Sequence, residues 1–378
     1  DEVPNLIHKK NGKVIKELMK AWEHDIDSLP FDDRDVFDYA KIVETRRGWA
    51  EVIVTRGCPY ACTYCFNKPL IDGYKADLYA DNKHKSFSVS KFANRRRSVD
   101  STIRMLKELR EKYNNITAFT FVDDIMAKAS DWFDEFARRY KEEIGLPYAC
   151  TSQPLYFNEK LAKQLNESGC KVVKMGVEAG DEAIRKKVLN RNISNECLIN
   201  VFGIARDYGL KPQSFNMIGI PGESVENMME TVRINASMKP YIVWVSTFIP
   251  YPGTELYYES IKKGMIDEAK WHHVDSYRGE SVLKEEYLSA LEFKKIRVLF
   301  RWFLNENLEN EAKEMFHANI QELSSLSNEQ WQNGTVERIF KERDDEIDQY
   351  LRRKNISHYV RKKYINVFWG SEYDYDLS

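Results

Sequence analysis

Along the middle of this chain, short apolar runs alternate with longer stretches in which apolar residues return every three or four positions. The runs AEVIVT (50–55), TAFTFV (117–122), YACTS (148–152), VVKMGV (172–177), PQSFNMI (212–218) and IVWVSTFI (242–249) are rich in β-branched and aromatic residues, so each is an expected strand. Between them, Val99, Ile103, Leu106, Leu109 and Tyr113 share one face of a helix over 98–113. Val225, Met228, Val232 and Ala236 do the same over 224–238. Ser98 and Ser224 stand where N-caps belong. Strands alternating with helices give βα units, and right-handed crossovers curl such a series into a barrel; six units are too few to close the eight-stranded form. The pattern predicts an α/β fold, an open, partial (βα)6 TIM-like barrel over residues 49–262.

The flanks read differently. Residues 1–48 are polar, and DIDSLPFDDRD breaks any regular pattern, as a connector would. Residues 263–378 lose the strand signals and read as a mainly helical extension. Its basic runs Arg352–Lys354 and Arg361–Lys363, interleaved with Tyr359 and Tyr364, are offset by KERDDEID and read as a solvated helix face.

Charge narrows the partners. Against 57 Lys and Arg stand 59 Asp and Glu in 378 residues, so no global field draws the chain to nucleic acid or an anionic membrane. No run approaches the roughly 18 apolar residues of a membrane span, and no signal-peptide pattern opens the sequence, which together give a cytoplasmic expectation. Six cysteines in a chain of this length do not make a disulfide framework; in a reducing compartment, clustered thiols read as metal or redox ligands.

Three of the six lie in RGCPYACTYCF, at Cys58, Cys62 and Cys65, directly after the first expected strand. Parallel αβ folds collect their chemistry at that end of the strands. A structural zinc site needs a fourth ligand, usually from a second pair at short spacing. None exists here: His84 stands alone, and Cys150, Cys170 and Cys197 are single residues that suit buried packing. Three thiolates on a [4Fe-4S] cluster would leave one iron open for chemistry. A non-catalytic zinc-binding scaffold stays as the alternative from another class.

The Cys-x3-Cys-x2-Cys spacing, with Tyr64 before the last cysteine and Phe66 after it, resembles the signature of the radical S-adenosylmethionine (radical SAM) enzymes, and the resemblance runs over roughly 50–262. It implies a [4Fe-4S] cluster on Cys58, Cys62 and Cys65, whose open iron chelates S-adenosylmethionine. Reductive cleavage then gives methionine and a 5′-deoxyadenosyl radical that takes hydrogen from a substrate. It also implies site residues at each strand end. Asp123 and Asp124 in FVDD would receive the cosubstrate's ammonium. Glu178 in GVEAGD would face its ribose, and Arg191 in LNRNIS would pair with its carboxylate. Asn216, Gly219, Pro221 and Gly222 around NMIGIPGES would lie on the adenine side, and Pro250 opens the PYPGTELY turn after the last strand. Ser152 and Gln153 would face cosubstrate or substrate. The tandem His272 and His273 read as surface or core, not as ligands.

The connector, RRRS, VDD, GVEAGD, GIPGES and PYPGT together look like the cobalamin-binding branch of that family. The branch implies methyl transfer to an unactivated carbon or phosphorus. The departure is that no nucleotide-binding βα unit precedes residue 49 and no Asp-x-His-x-x-Gly occurs, so cobalamin would enter through a domain not in this chain. A cobalamin-independent relative acting by hydrogen abstraction or methylthiolation is the alternative. The implied partners are an electron donor such as flavodoxin or ferredoxin and a small-molecule, peptide or RNA substrate.

Overall fold

The computed structural model describes residues 6–17, 23–80, 88–274 and 276–359. His84 and the basic run from Arg361 lie outside them. Six parallel strands form the central sheet: β1 (Trp49–Val52), β2 (Ala118–Phe121), β3 (Tyr148–Ser152), β4 (Cys170–Glu178), β5 (Lys211–Ile218) and β6 (Ile242–Thr247). Their spatial order is β6-β5-β4-β3-β2-β1, so each strand pairs with its neighbours in sequence and the sheet curls as a half-barrel. All six expected strands are present.

Alternation along the strands divides the interior. Phe119, Phe121, Tyr148, Cys150, Val173, Met175 and Val177 point outward into a core shared with Ile103, Leu106, Phe133, Phe136, Leu161 and Phe202 of the crossover helices. Trp49, Ala118, Ala149 and Val172 form a separate small cluster on the opposite face. The expected helices run over Val99–Lys112 and Val225–Met238, and the Ser98 and Ser224 hydroxyls cap them by accepting from the Ser101 and Asn227 backbone N–H groups.

The first strand is shorter than AEVIVT suggests. After Val52 the chain leaves the sheet, because the buried Asp123 carboxylate accepts from the Val54 N–H (2.9 Å), the Thr55 N–H and the Thr55 hydroxyl (2.6 Å) in place of ladder bonds. Thr55–Arg56 then pairs antiparallel with Arg95–Arg96. The connector also holds more structure than its composition signals: a hairpin of Ile7–Lys10 with Lys13–Lys16, and a helix over Tyr39–Thr45. Buried Arg97 fastens it to the barrel, donating to the carbonyls of Ile26, Leu29 and Pro30 at 3.1–3.2 Å.

Beyond the barrel, the Ala290–Glu306 helix lays Phe293, Ile296 and Phe300 against Met228 and Val232 of the Val225–Met238 helix. Its other side joins Lys313–Ser325, Asn328–Gln332 and Thr335–Arg353 around Trp302, Phe316 and Trp331. No helix among the described residues is long and apolar enough to cross a membrane.

Candidate active site

The cysteine loop is pinned at several points. Gly57 is at φ +90°, and a Cβ added there would lie 3.0 Å from Ala93 Cα, so a side chain would press on the Val89–Ala93 helix. Past the turn, Thr63 donates its hydroxyl to the Val188 carbonyl (2.6 Å) and its N–H to that of Leu189 (3.3 Å). Asn190 reaches back to the Ala61 carbonyl (2.8 Å), and the Thr63 carbonyl accepts from the Leu256 N–H (3.0 Å). The loop is therefore clamped between the segment after β4 and the Glu255–Lys262 helix. Cys62 is buried; Cys58 and Cys65 are half-buried.

Arg191 joins this loop to the end of β4. Its Nη1 lies 3.8 Å from the Cys62 Sγ and 3.9 Å from a Glu178 carboxylate oxygen, while Nη2 donates to the Gly176 carbonyl (2.9 Å). Its Nε is buried with no partner among the described residues. Burial alone would depress the guanidinium, but Tyr64, Glu178 and Cys62 around it outweigh that and hold its pKa up. Glu178 occupies a strained position, at φ +72°, where the β4–β5 register shifts between Gly176 and Glu178. The bulge turns its carboxylate back over the strand: a Cβ on Gly176 would lie 2.2 Å from Glu178 Oε1. Burial pushes the Glu178 carboxyl up, against the pull of Arg191 and a Tyr64 hydrogen bond.

Asp124 is exposed and close enough to Cys58 and Cys65 to raise both thiols, after burial, which lifts Cys58 to about 11. The structure thus gathers Cys58, Cys62, Cys65, Tyr64, Asp124, Glu178 and Arg191 at one end of the barrel. The remaining candidates make local bonds. Asp123 holds the start of the cysteine loop, with Oδ2 buried and unpartnered among the described residues. Ser152 donates to the Ala127 carbonyl (2.7 Å), and Gln153 caps the Pro154–Tyr156 turn through Leu155 N–H (2.6 Å). Asn216 is bonded to Ser214, Trp244 and Asn235. The Pro250 carbonyl accepts from Trp271 (3.1 Å), and Phe66 is exposed. His272 and His273 are exposed.

Two organising residues escaped the sequence reading. Arg185, fully buried on the π-helical turn Ile184–Val188, donates to the carbonyls of Ala179, Gly180 and Ile193 and so sets the path from Glu178 to Arg191. Glu223, also buried, accepts from the N–H groups of Gly219 (2.7 Å) and Ile220 (3.0 Å), and its Oε1 has no partner among the described residues. Burial pushes its carboxyl up to about 8. A carboxyl raised by folding stays protonated in the native chain while the unfolded chain ionises, so stability falls as pH rises from the ordinary glutamate value toward about 8. Urea titrations at both ends of that window should show a loss of up to a few kcal/mol, and Glu223→Gln should flatten it.

Comparison with known proteins fits this arrangement. Residues 52–234 match the sequence profile of the Radical SAM superfamily. The barrel is thus a radical SAM domain. Among curated relatives, an uncharacterized methyltransferase of Pyrococcus horikoshii is 24% identical over 77% of this chain and 59% of its own length. The cytidylyl-2-hydroxyethylphosphonate methyltransferase of Streptomyces wedmorensis is 26% identical over 68% of this chain and 47% of its own. The chain therefore spans about half the length of these relatives. In fold, it resembles the cobalamin-dependent S-adenosylmethionine radical enzyme OxsB, with a TM-score of 0.58 and 12% identity over 94% of this chain and 56% of that one. It also resembles the radical S-adenosylmethionine methyltransferase TsrM of Kitasatospora setae, with a TM-score of 0.52 and 16% identity over 69% and 49%.

Radical SAM enzymes use a [4Fe-4S] cluster and S-adenosylmethionine, and the residues present suit both. No three His, Cys, Asp or Glu side chains among the described residues converge on a point that would hold one metal ion. A cubane instead takes each thiolate at a different iron, so its three sulfurs need to stand apart on one loop. The unpartnered Arg191 Nε and the raised Cys58 and Cys65 thiols are the groups that such ligands would satisfy.

Proposed function

We propose that this chain is the catalytic barrel of a cobalamin-associated radical SAM methyltransferase. Cys58, Cys62 and Cys65 hold the cluster, Arg191 takes the cosubstrate's carboxylate, Asp124 its ammonium and Glu178 its ribose hydroxyls. The observation that carries the reading is the placement of Arg191, in reach of Cys62 and Glu178 at once. A bound cluster supplies the electron that splits S-adenosylmethionine into methionine and a 5′-deoxyadenosyl radical. The chain's own residues orient the cosubstrate: a planar guanidinium fits a carboxylate with two parallel bonds, and Glu178, aimed by its bulge, accepts from paired hydroxyls. The methyl-transfer part rests on the named relatives, with cobalamin entering through a domain outside this chain. A flavodoxin- or ferredoxin-type donor and a cytoplasmic address belong to the same proposal.

Arg191→Lys tests it, because lysine keeps the charge and loses the fork. Equilibrium binding of S-adenosylmethionine to the cluster-loaded protein should weaken about tenfold or more, with iron content unchanged. Unchanged affinity would remove Arg191 from the site. Stoichiometric cobalamin binding by the full gene product tests the branch, and its absence would favour cobalamin-independent chemistry.

A further inference from the structure

Near Cys58 lie cations that the cosubstrate reading does not use. Arg96, on the short strand paired with Thr55, sits 5.4 Å over the Trp132 ring, and its Nη1 is 3.5 Å from the Ser130 hydroxyl. Lys128, on the loop after β2, donates to the Asn94 side chain, and its carbonyl accepts from the same Ser130 hydroxyl (3.3 Å) that Arg96 approaches. Both are half-buried. Neither has an ion pair among the described residues, and their bonds go to neutral groups alone. Nearby, Arg56 and Arg95 stand directly opposite each other across the two-stranded pair, a like-charge placement that destabilises unless something offsets it.

A second feature points the same way. Ser130 is the N-cap of the Asp131–Glu143 helix, so that helix directs the positive end of its dipole at the same place. Its first turn carries two acids, Asp134, which is taken by Lys160 and Gln164, and Asp131, which is exposed. Burial depresses the pKa of both Arg96 and Lys128, and for Lys128 the Arg96 charge adds to it.

We propose that Arg96 and Lys128 form an anion subsite at the barrel mouth that holds a phosphoryl group of the substrate. This rests on the radical SAM reading, and it names a substrate class: a phosphorylated or phosphonylated molecule, whose charged end is fixed by the cations near Cys58 while its reacting end faces the cosubstrate. Arg supplies the planar fork, Lys a point charge and the helix a fixed dipole, a set that suits tetrahedral oxyanions.

Inorganic pyrophosphate is the probe, titrated calorimetrically at fixed ionic strength into the cluster-loaded chain. One site is expected, with Arg96→Gln and Lys128→Gln each weakening it about tenfold or more. Arg338→Gln, an exposed arginine paired with Glu342 on the Thr335–Arg353 helix, should leave it unchanged. Lys128→Gln keeps the test open should Arg96→Gln fail to fold. No binding, or equal binding in every variant, overturns the proposal. So does a matching loss of S-adenosylmethionine affinity in Lys128→Gln, which would give the cations to the cosubstrate, or a loss of iron, which would give them to the cluster. If no version forms deoxyadenosine while pyrophosphate binding follows this pattern, the radical reading fails and the anion subsite stands.

Discussion

Cys58→Ala is expected to lose the cluster and, with it, essentially all cleavage of S-adenosylmethionine, while the barrel stays folded. Cys58 is the residue to change because it is only half-buried, whereas Cys62 is buried at 5% exposure and its replacement would disturb the interior as well. A cluster with only two protein thiolates is labile, so iron content after anaerobic reconstitution should fall with activity, by about a thousandfold or more in deoxyadenosine formed. Thermal unfolding of the metal-free proteins should differ by no more than about 1 kcal/mol, the usual range for a half-exposed substitution. A variant that kept both iron and activity would remove the loop from the chemistry.

Gly180→Ala should have the largest effect on stability, for a reason that has nothing to do with backbone freedom. A Cβ there would fall 2.1 Å from the Glu230 carbonyl carbon and oxygen and 2.3 Å from the Thr231 nitrogen. These are backbone atoms inside the Val225–Met238 helix and cannot swing aside. Gly180 also donates to the Thr231 hydroxyl (2.7 Å), and its carbonyl accepts from Arg185 (3.1 Å), so displacing it loosens the path that carries Glu178 and Arg191. We expect destabilisation on the order of 4 kcal/mol or more, or failure to fold. Gly222→Ala is the contrast: φ is +85° and nothing lies within 4 Å of the added methyl, so its cost should stay near the roughly 1 kcal/mol of an unfavourable φ. Denaturant midpoints of the two variants check this, and equal midpoints would contradict the close-approach argument.

The strands and crossover helices were legible because each carries its own period and its own cap, and neither depends on distant residues. What escaped was set across long separations. β1 stops early because Asp123, some seventy positions on, takes the N–H groups of Val54 and Thr55. The left-handed backbone of Glu178 follows from the register against β5, which no local pattern encodes. No local pattern singles out Arg185 or Glu223, and only the fold shows that backbone carbonyls surround one and backbone N–H groups the other. The cysteine spacing was readable because a cluster loop is local, and Arg191 was placed by family resemblance alone. For Ser152 and Gln153 strand-end position, and for Asn216 the family resemblance, suggested ligand contact, and the hydrogen bonds that the structure shows for them run to their own neighbourhood.

On the proposed reading, the cysteine loop arms S-adenosylmethionine for radical chemistry. The direct measurement is anaerobic reconstitution with iron and sulfide, addition of S-adenosylmethionine and dithionite, and mass spectrometry of 5′-deoxyadenosine, with Cys58→Ala alongside. Iron and deoxyadenosine are expected in the wild type and neither in the variant. Zinc in place of iron, with no deoxyadenosine from the wild type, would contradict it.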